Sequence, residues 1–216
     1  MKGLKDKMEF SCYFDLAHPD LQSGCQEQEI CNFNLMGIKN NISEGYTYFL
    51  TMTVASWIDV FTRPVYKHIM VEALKYSQQN KGLIIYAWCL MSNHLHLIAA
   101  TEEGYHLSNI LRDFKKFTSK AIIKEIMDNP RESRKKWLLS EFEFAGRYKS
   151  NIKNYKFWQD GNDAKEIHST SFLEQKVDYI HENPVKAEIV EYAHEYLYSS
   201  AKNYAGENGL IKVVLI

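Results

Sequence analysis

Two apolar runs, GLIIYAWCLMS (residues 82–92) and HLHLIAAT (94–101), stand almost end to end, with the turn residues Ser92 and Asn93 at their junction. No other feature constrains the fold of this chain as tightly. Short apolar runs bounded by turn residues read as strands, and two so closely spaced read as an antiparallel hairpin. The second run opens on His94 and His96, where Val or Ile would make the better strand. In an extended strand, residues i and i+2 face the same way, so the two imidazoles share one face of the sheet. They either lie on a solvated face or hold a metal ion.

The rest of the chain can be arranged around this hairpin. YTYFLTMTVASW (46–57) reads as a buried strand. RPVYKHIMVEALKYSQQNKG (63–82) reads as a helix capped at Thr62 or Arg63, opening on Pro64 and ended by Gly82, with Val65, Ile69 and Ala73 on its apolar face. Ser108 is the expected N-cap of a helix of about 20 residues, with Ile110, Phe114, Phe117 and Ala121 as its stripe and Asn129-Pro130 as its stop. Residues 131–146 predict a further helix, and 150–166 a connecting segment. STSFLEQKVDYIHENP (169–184) predicts a helix halted by Pro184. The order predicts an α+β fold, an antiparallel sheet with helices packed mainly on one face. Residues 1–45 show no period and are expected to form a poorly ordered N-terminal extension, with Met36 as the working start, ahead of a domain over 46–216.

Composition narrows the function. The 216 residues contain no apolar run long enough to span a bilayer, and the lysines at the N-terminus precede no signal-type segment. A cytoplasmic protein with no membrane partner is expected. The four cysteines contain no C-x-x-C pair and suit neither a disulfide framework nor a zinc ribbon. The net charge of −1 conceals a division: residues 112–156 hold 13 Lys and Arg against 6 Asp and Glu, whereas 157–216 hold 5 against 10. Basic blocks are usually solvated faces. Here Arg112, Lys116, Lys120 and Lys124 recur every fourth residue along one helix, Lys115 adds to them, and Arg131, Arg134, Lys135 and Lys136 follow. That regularity suits contact with a phosphate backbone. Tyr148, Tyr155, Phe157 and Trp158 could offer stacking faces to unpaired bases.

A second constellation lies in DYIHENPV. Tyr179 and Asn183 are four apart, one helical turn above each other, and Pro184 is expected to leave Asn183 at an exposed helix end with its amide free. The bland reading is a packed Tyr and a capping Asn. Taken with the histidines, the set is chemically richer: two imidazoles and one amide oxygen leave open positions on a divalent ion, suited to phosphate oxygens. A tyrosine phenol, with an ordinary pKa of about 10, is a poor nucleophile unless a cation or base stands beside it.

YAWCLMSNHLHLIAA, YIHENPVKAEIV and YLYSSAKNYAG together resemble the single-tyrosine HUH transposases, most closely the REP-associated tyrosine transposases related to the insertion-sequence-200 type. The resemblance spans roughly residues 46–206 and implies a ferredoxin-like or RRM-like HUH domain. It implies that Tyr179 is the nucleophile and that His94, His96 and Asn183 bind Mg²⁺ or Mn²⁺. The substrate implied is single-stranded hairpin DNA, cleaved to a 5′-phosphotyrosine and a free 3′-OH by a nucleoid-associated monomer or homodimer. DNA contacts are expected from Arg112, Lys115, Lys116, Lys120, Lys124, Arg131, Arg134, Lys135 and Trp158. Glu188 stands where the family usually has Gly and reads as a surface change. A non-catalytic nucleic-acid-binding regulator on the same fold is the alternative. A third reading is a zinc site of His94, His96 and Cys89, which needs Cys89 to face the histidines.

Overall fold

The hairpin is present and forms half of a four-stranded sheet. In the computed structural model, which describes residues 42–147 and 154–216, β1 spans Tyr48–Thr53, β2 Leu83–Leu90, β3 His94–Thr101 and β4 Lys165–Glu166. All pairings are antiparallel and the order is β2-β3-β1-β4. The helices are α1 (Pro64–Lys81), α2 (Leu107–Asp128), α3 (Lys135–Gly146), α4 (Thr170–Lys186) and α5 (Ala201–Tyr204). The architecture is α+β, as expected. Among the described residues, no helix is long and apolar enough to cross a membrane.

Register decides which side chains meet. Thr51 pairs with His96 and Thr53 with His94, so Phe49, Thr51, Thr53, His94 and His96 face one way. Tyr48, Leu50, Met52, Leu95 and Leu97 face the other way and are at most 3% exposed. They join Tyr66, Met70 and Leu74 of α1 and Ile110, Phe114 and Ile122 of α2 in the main core. Each such side chain stabilises the fold by roughly 1.5–3 kcal/mol when fully buried. Helix α4 lies across the histidine-bearing face, where the Tyr179 ring meets those of Phe49 and His96.

Several local expectations change. β1 is shorter than the 46–57 run, because Ala55–Trp57 coil into a 3-10 turn. On α1, Pro64 and Gly82 hold the expected ends, Gly82 in the left-handed region at φ 61°. Its buried ridge, however, is Tyr66, Met70, Ala73 and Leu74, with Val65 and Ile69 only half-buried. Helix α2 starts at Leu107 rather than after Ser108, and its flanking residue, His106, makes no side-chain cap. Phe117 is 58% exposed. Thr118 takes the buried slot instead, because its hydroxyl donates to the Phe114 carbonyl and accepts from the Trp158 indole. Hydrophobicity alone does not reveal a buried threonine with both bonds satisfied.

Proline 184 does not stop α4. The helix runs on to Lys186, and Ile189 N–H bonds Pro184 O while Glu188 N–H bonds Val185 O, the two bonds of a Schellman ending. Glu188 occupies the position that glycine favours, at φ 55°. Its substitution is therefore a backbone matter as well as a surface one. The expected extension lies almost wholly outside the described residues. Of its last residues, Ile42 packs on the core and the Ser43 N–H donates to the Tyr48 hydroxyl.

Candidate active site

His94 and His96 point their Nε2 atoms at each other, 3.1 Å apart. Their other nitrogens are held from behind. Thr51, directly opposite His96 across the β1–β3 ladder, places Oγ1 3.0 Å from its Nδ1. Asn93 places Oδ1 2.7 Å from His94 Nδ1. The orientation of that amide is fixed, because its Nδ2 donates to Asp59 Oδ1 at 3.0 Å and to the Trp57 carbonyl at 3.2 Å, both acceptors. An amide oxygen can only accept, so His94 carries its proton on Nδ1 and presents a lone pair at Nε2. The gap between the two Nε2 atoms then needs either a proton from His96 or a cation. Two nitrogens at this spacing subtend about a right angle at an ion about 2.1 Å from each, as adjacent ligands of a six-coordinate ion do.

Burial keeps both rings neutral, the state that ligates metal. It lowers His94 despite the opposing Asp59 carboxylate. It pushes His96 down to about 3, helped by His94 and by the Lys176 ammonium.

Tyr179 is 42% exposed on α4, with its ring 5.3 Å from that of His96. Asn183, one turn on, donates through Nδ2 to the Tyr179 carbonyl at 2.7 Å, which leaves Oδ1 as the amide atom available to a ligand. It does so inside the last turn of α4, not at the free end expected from Pro184. Lys176 holds its ammonium 5.4 Å from the Tyr179 ring centre and 5.3 Å from that of Phe49. Burial lowers its pKa, with Lys165 adding to the effect. Lys165 pairs with Phe49 across the ladder and so faces the same side. Two residues past the tyrosine, buried His181 anchors α4 through Nε2 to Ser200 Oγ at 2.7 Å.

The basic residues divide into two groups. Arg112, Lys116, Lys120, Lys124 and Arg131 are exposed, and Lys116 and Lys120 form no ion pair among the described residues. Arg112 turns to Asn109 and Asp113, and Lys124 pairs with Asp128. The others brace the fold. Lys115 donates to the Gln159 and Gly161 carbonyls, Lys135 to the Met127 carbonyl, and Arg134 to Asp59 O and the buried Glu132. Trp158 is 6% exposed and packs in the core. Lys115, Lys116, Lys120, Tyr155, Lys156 and Trp158 line an open cleft of about 620 Å³. Neither this cleft nor the 680 Å³ one between α1 and α2 is lined by the histidines or Tyr179.

Cys89 pairs with His96 in register and so faces the same side. Its thiol is fully buried, burial pushes its pKa up to about 12, and it donates to Met91 Sδ. Among the described residues, no three His, Cys, Asp or Glu gather as a metal site. The zinc reading therefore fails. Sequence reasoning missed Thr51, Asp59, Asn93, Lys176 and Trp57. Asn93 adjoins the first histidine and Lys176 lies three residues before the tyrosine, so spacing could have flagged both. Thr51 and Asp59 carry no sequence signal, because tertiary pairing alone brings them to the site.

Comparison with known proteins bears on the fold and the family. The structure resembles that of a REP-associated tyrosine transposase bound to a REP hairpin, with a TM-score of 0.58 and 20% identity over 83% of this chain and 92% of the other. None of the curated proteins matches. The sequence profile of the family described as IS200-like transposases matches residues 43–152, a stretch that contains both histidines and stops before α4. The chain belongs to the IS200-like transposase family.

Proposed function

We propose that the protein cleaves and rejoins single-stranded hairpin DNA, with Tyr179 as nucleophile. The carrying observation is the exposed Tyr179 beside His96, on the helix that lies across the histidine-bearing face. In the forward step a bond forms between Tyr179 Oη and phosphorus as the bond from phosphorus to the 3′-oxygen breaks. The phenol proton passes to solvent, and the departing 3′-oxygen takes a proton from water. Rejoining reverses these transfers. His94, His96 and Asn183 Oδ1 would hold a divalent cation, Mg²⁺ or Mn²⁺, which supplies Lewis-acid polarisation of the phosphate. Lys176 holds a positive charge beside the tyrosine, where negative charge develops during attack. Arg112, Lys116, Lys120 and Arg131 offer backbone contacts that position the strand without reading it. The solved relative's REP hairpin makes a hairpin the substrate to try first.

The test is incubation with Mn²⁺ and a labelled single-stranded hairpin library, followed by denaturing electrophoresis. A covalent adduct should form with the wild-type chain and vanish with Tyr179→Phe, while DNA affinity stays within about threefold. Adduct formation by Tyr179→Phe overturns the assignment. Binding without any adduct favours the non-catalytic regulator.

A further inference from the structure

We propose that Trp57 is a stacking platform for an unpaired nucleobase, that of the nucleotide next to the cleaved phosphate. This rests on the DNA-cleaving reading above. Trp57 is 55% exposed, and its ring lies 6.2 Å from that of His94, edge to face. Trp88 and Trp158, by contrast, are 0% and 6% exposed.

The backbone bends to put it there. Ser56 and Trp57 both have φ of 56°, a region that residues other than glycine avoid. The bend is braced on every side. Val54 N–H bonds Asn93 O, Ala55 N–H bonds Phe157 O and Phe61 N–H bonds Ser92 O, each at 2.8 Å, and Asn93 Nδ2 holds the Trp57 carbonyl. A rigid, strained turn that gives a large apolar ring to solvent loses stability twice. Strain of this kind persists where it positions a ligand group.

Location identifies the ligand. The contacts at this turn that face the site are polar: the His94 ring lies against Trp57, and Asn93, itself bonded to Asp59, holds the Trp57 carbonyl. A flat π face beside a phosphate-reacting centre suits a flat unpaired base, whichever base it is. Asn93 links the two functions, since the amide that sets the His94 tautomer also grips the Trp57 carbonyl.

Fluorescence reads the contact directly. In a chain carrying Trp137→Phe and Tyr179→Phe, Trp57 is the one exposed tryptophan and the strand stays uncut. Titration with a hairpin oligonucleotide that gives the adduct should quench its emission by about half, and an abasic site beside the scissile phosphate should restore most of it. Trp57→Ala should weaken binding about tenfold, in the lower part of the range for one base–aromatic stack, at an unchanged melting temperature, and Trp57→Phe should recover most of the loss. Absent quenching, or unchanged affinity in Trp57→Ala, overturns this inference while adduct formation leaves the reading beneath it standing. If no oligonucleotide gives an adduct, both fall.

Discussion

His96 and Leu97 are neighbours on β3, yet they belong to different regimes. Leu97 faces the side that closes against the core with α1 and α2, where it, Leu50, Met52 and Leu95 are 0% exposed. His96 faces the side crossed by α4, where Tyr179 stays 42% exposed. The closed face is apolar and stabilises by area. The open face is mixed: it buries Phe49, Ile98 and Cys89, and its polar groups are satisfied bond by bond, His96 on Thr51, His94 on Asn93, His181 on Ser200. One sheet thus separates the residues that hold the fold from those that react, by the alternation of its side chains.

The sharpest way to break this division is to mutate the two neighbours. His96→Ala should reduce adduct formation at least a thousandfold and change unfolding free energy by no more than about 1–2 kcal/mol, the scale of one lost hydrogen bond. Leu97→Ala should cost about 3–4 kcal/mol, as large-to-small changes in well-packed cores do, while the folded fraction cleaves at close to the wild-type rate. Urea denaturation and single-turnover assays on both proteins give all four numbers. If His96→Ala unfolds the chain, the two faces are not separate.

Acid should attack the open face first. Burial lowers the His181 imidazole from 6.5 to about 4, with Asp178 opposing, and His96 is lowered in the same direction. Below about pH 6.5 the unfolded chain takes up a proton that the folded chain refuses until about pH 4. Stability is therefore complete above this window and falls as the pH drops through it. His181 alone accounts for up to about 3 kcal/mol. Urea midpoints between pH 7.5 and 4.5 should decline for the wild type and decline less for His181→Gln. Hydrogen exchange should rise in α4 before α1 and α2. Uniform loss of protection would mean that the faces unfold as one.

The same division explains what the sequence could disclose. The hairpin, Pro64 and Gly82 at the ends of α1, and the histidine pair follow from period and turn chemistry, which are local. The run of α4 past Pro184 was not legible, because the helix is ended instead by the Schellman bonds to the Pro184 and Val185 carbonyls, set by the backbone at Glu188. Thr118 displaced Phe117 from the core for a reason that lies 40 residues away, at Trp158. The residues that set the histidines were hidden similarly, Thr51 by strand register and Asp59 by a bond to Asn93. Composition shows which atoms are available, whereas register shows which of them are paired.

The smallest effect concerns the outer surface of α2, the helix that packs with the closed-face core. Lys116 and Lys120 are exposed there and form no ion pair among the described residues, whereas Lys115 beside them is spent on two backbone carbonyls. If the strand grips α2, it must pass around the β1–β4 side of the sheet, along the cleft formed with residues 154–158, to reach Tyr179. Replacing both lysines with Ala should then weaken binding severalfold at low salt, for all sequences alike. It should also flatten the log–log salt dependence by about 1.4, since each single-strand phosphate contact contributes about 0.7. The cleavage rate at saturating DNA should not change, because neither lysine is near the tyrosine helix. Lys115→Ala should instead lower the melting temperature, since it removes a brace between α2 and the 159–161 segment. An unchanged salt slope in the double variant would confine DNA to the open face and leave the stripe as a solvated surface. A slope that flattens while the saturating rate holds would show that the closed side, inert in chemistry, still helps to hold the strand.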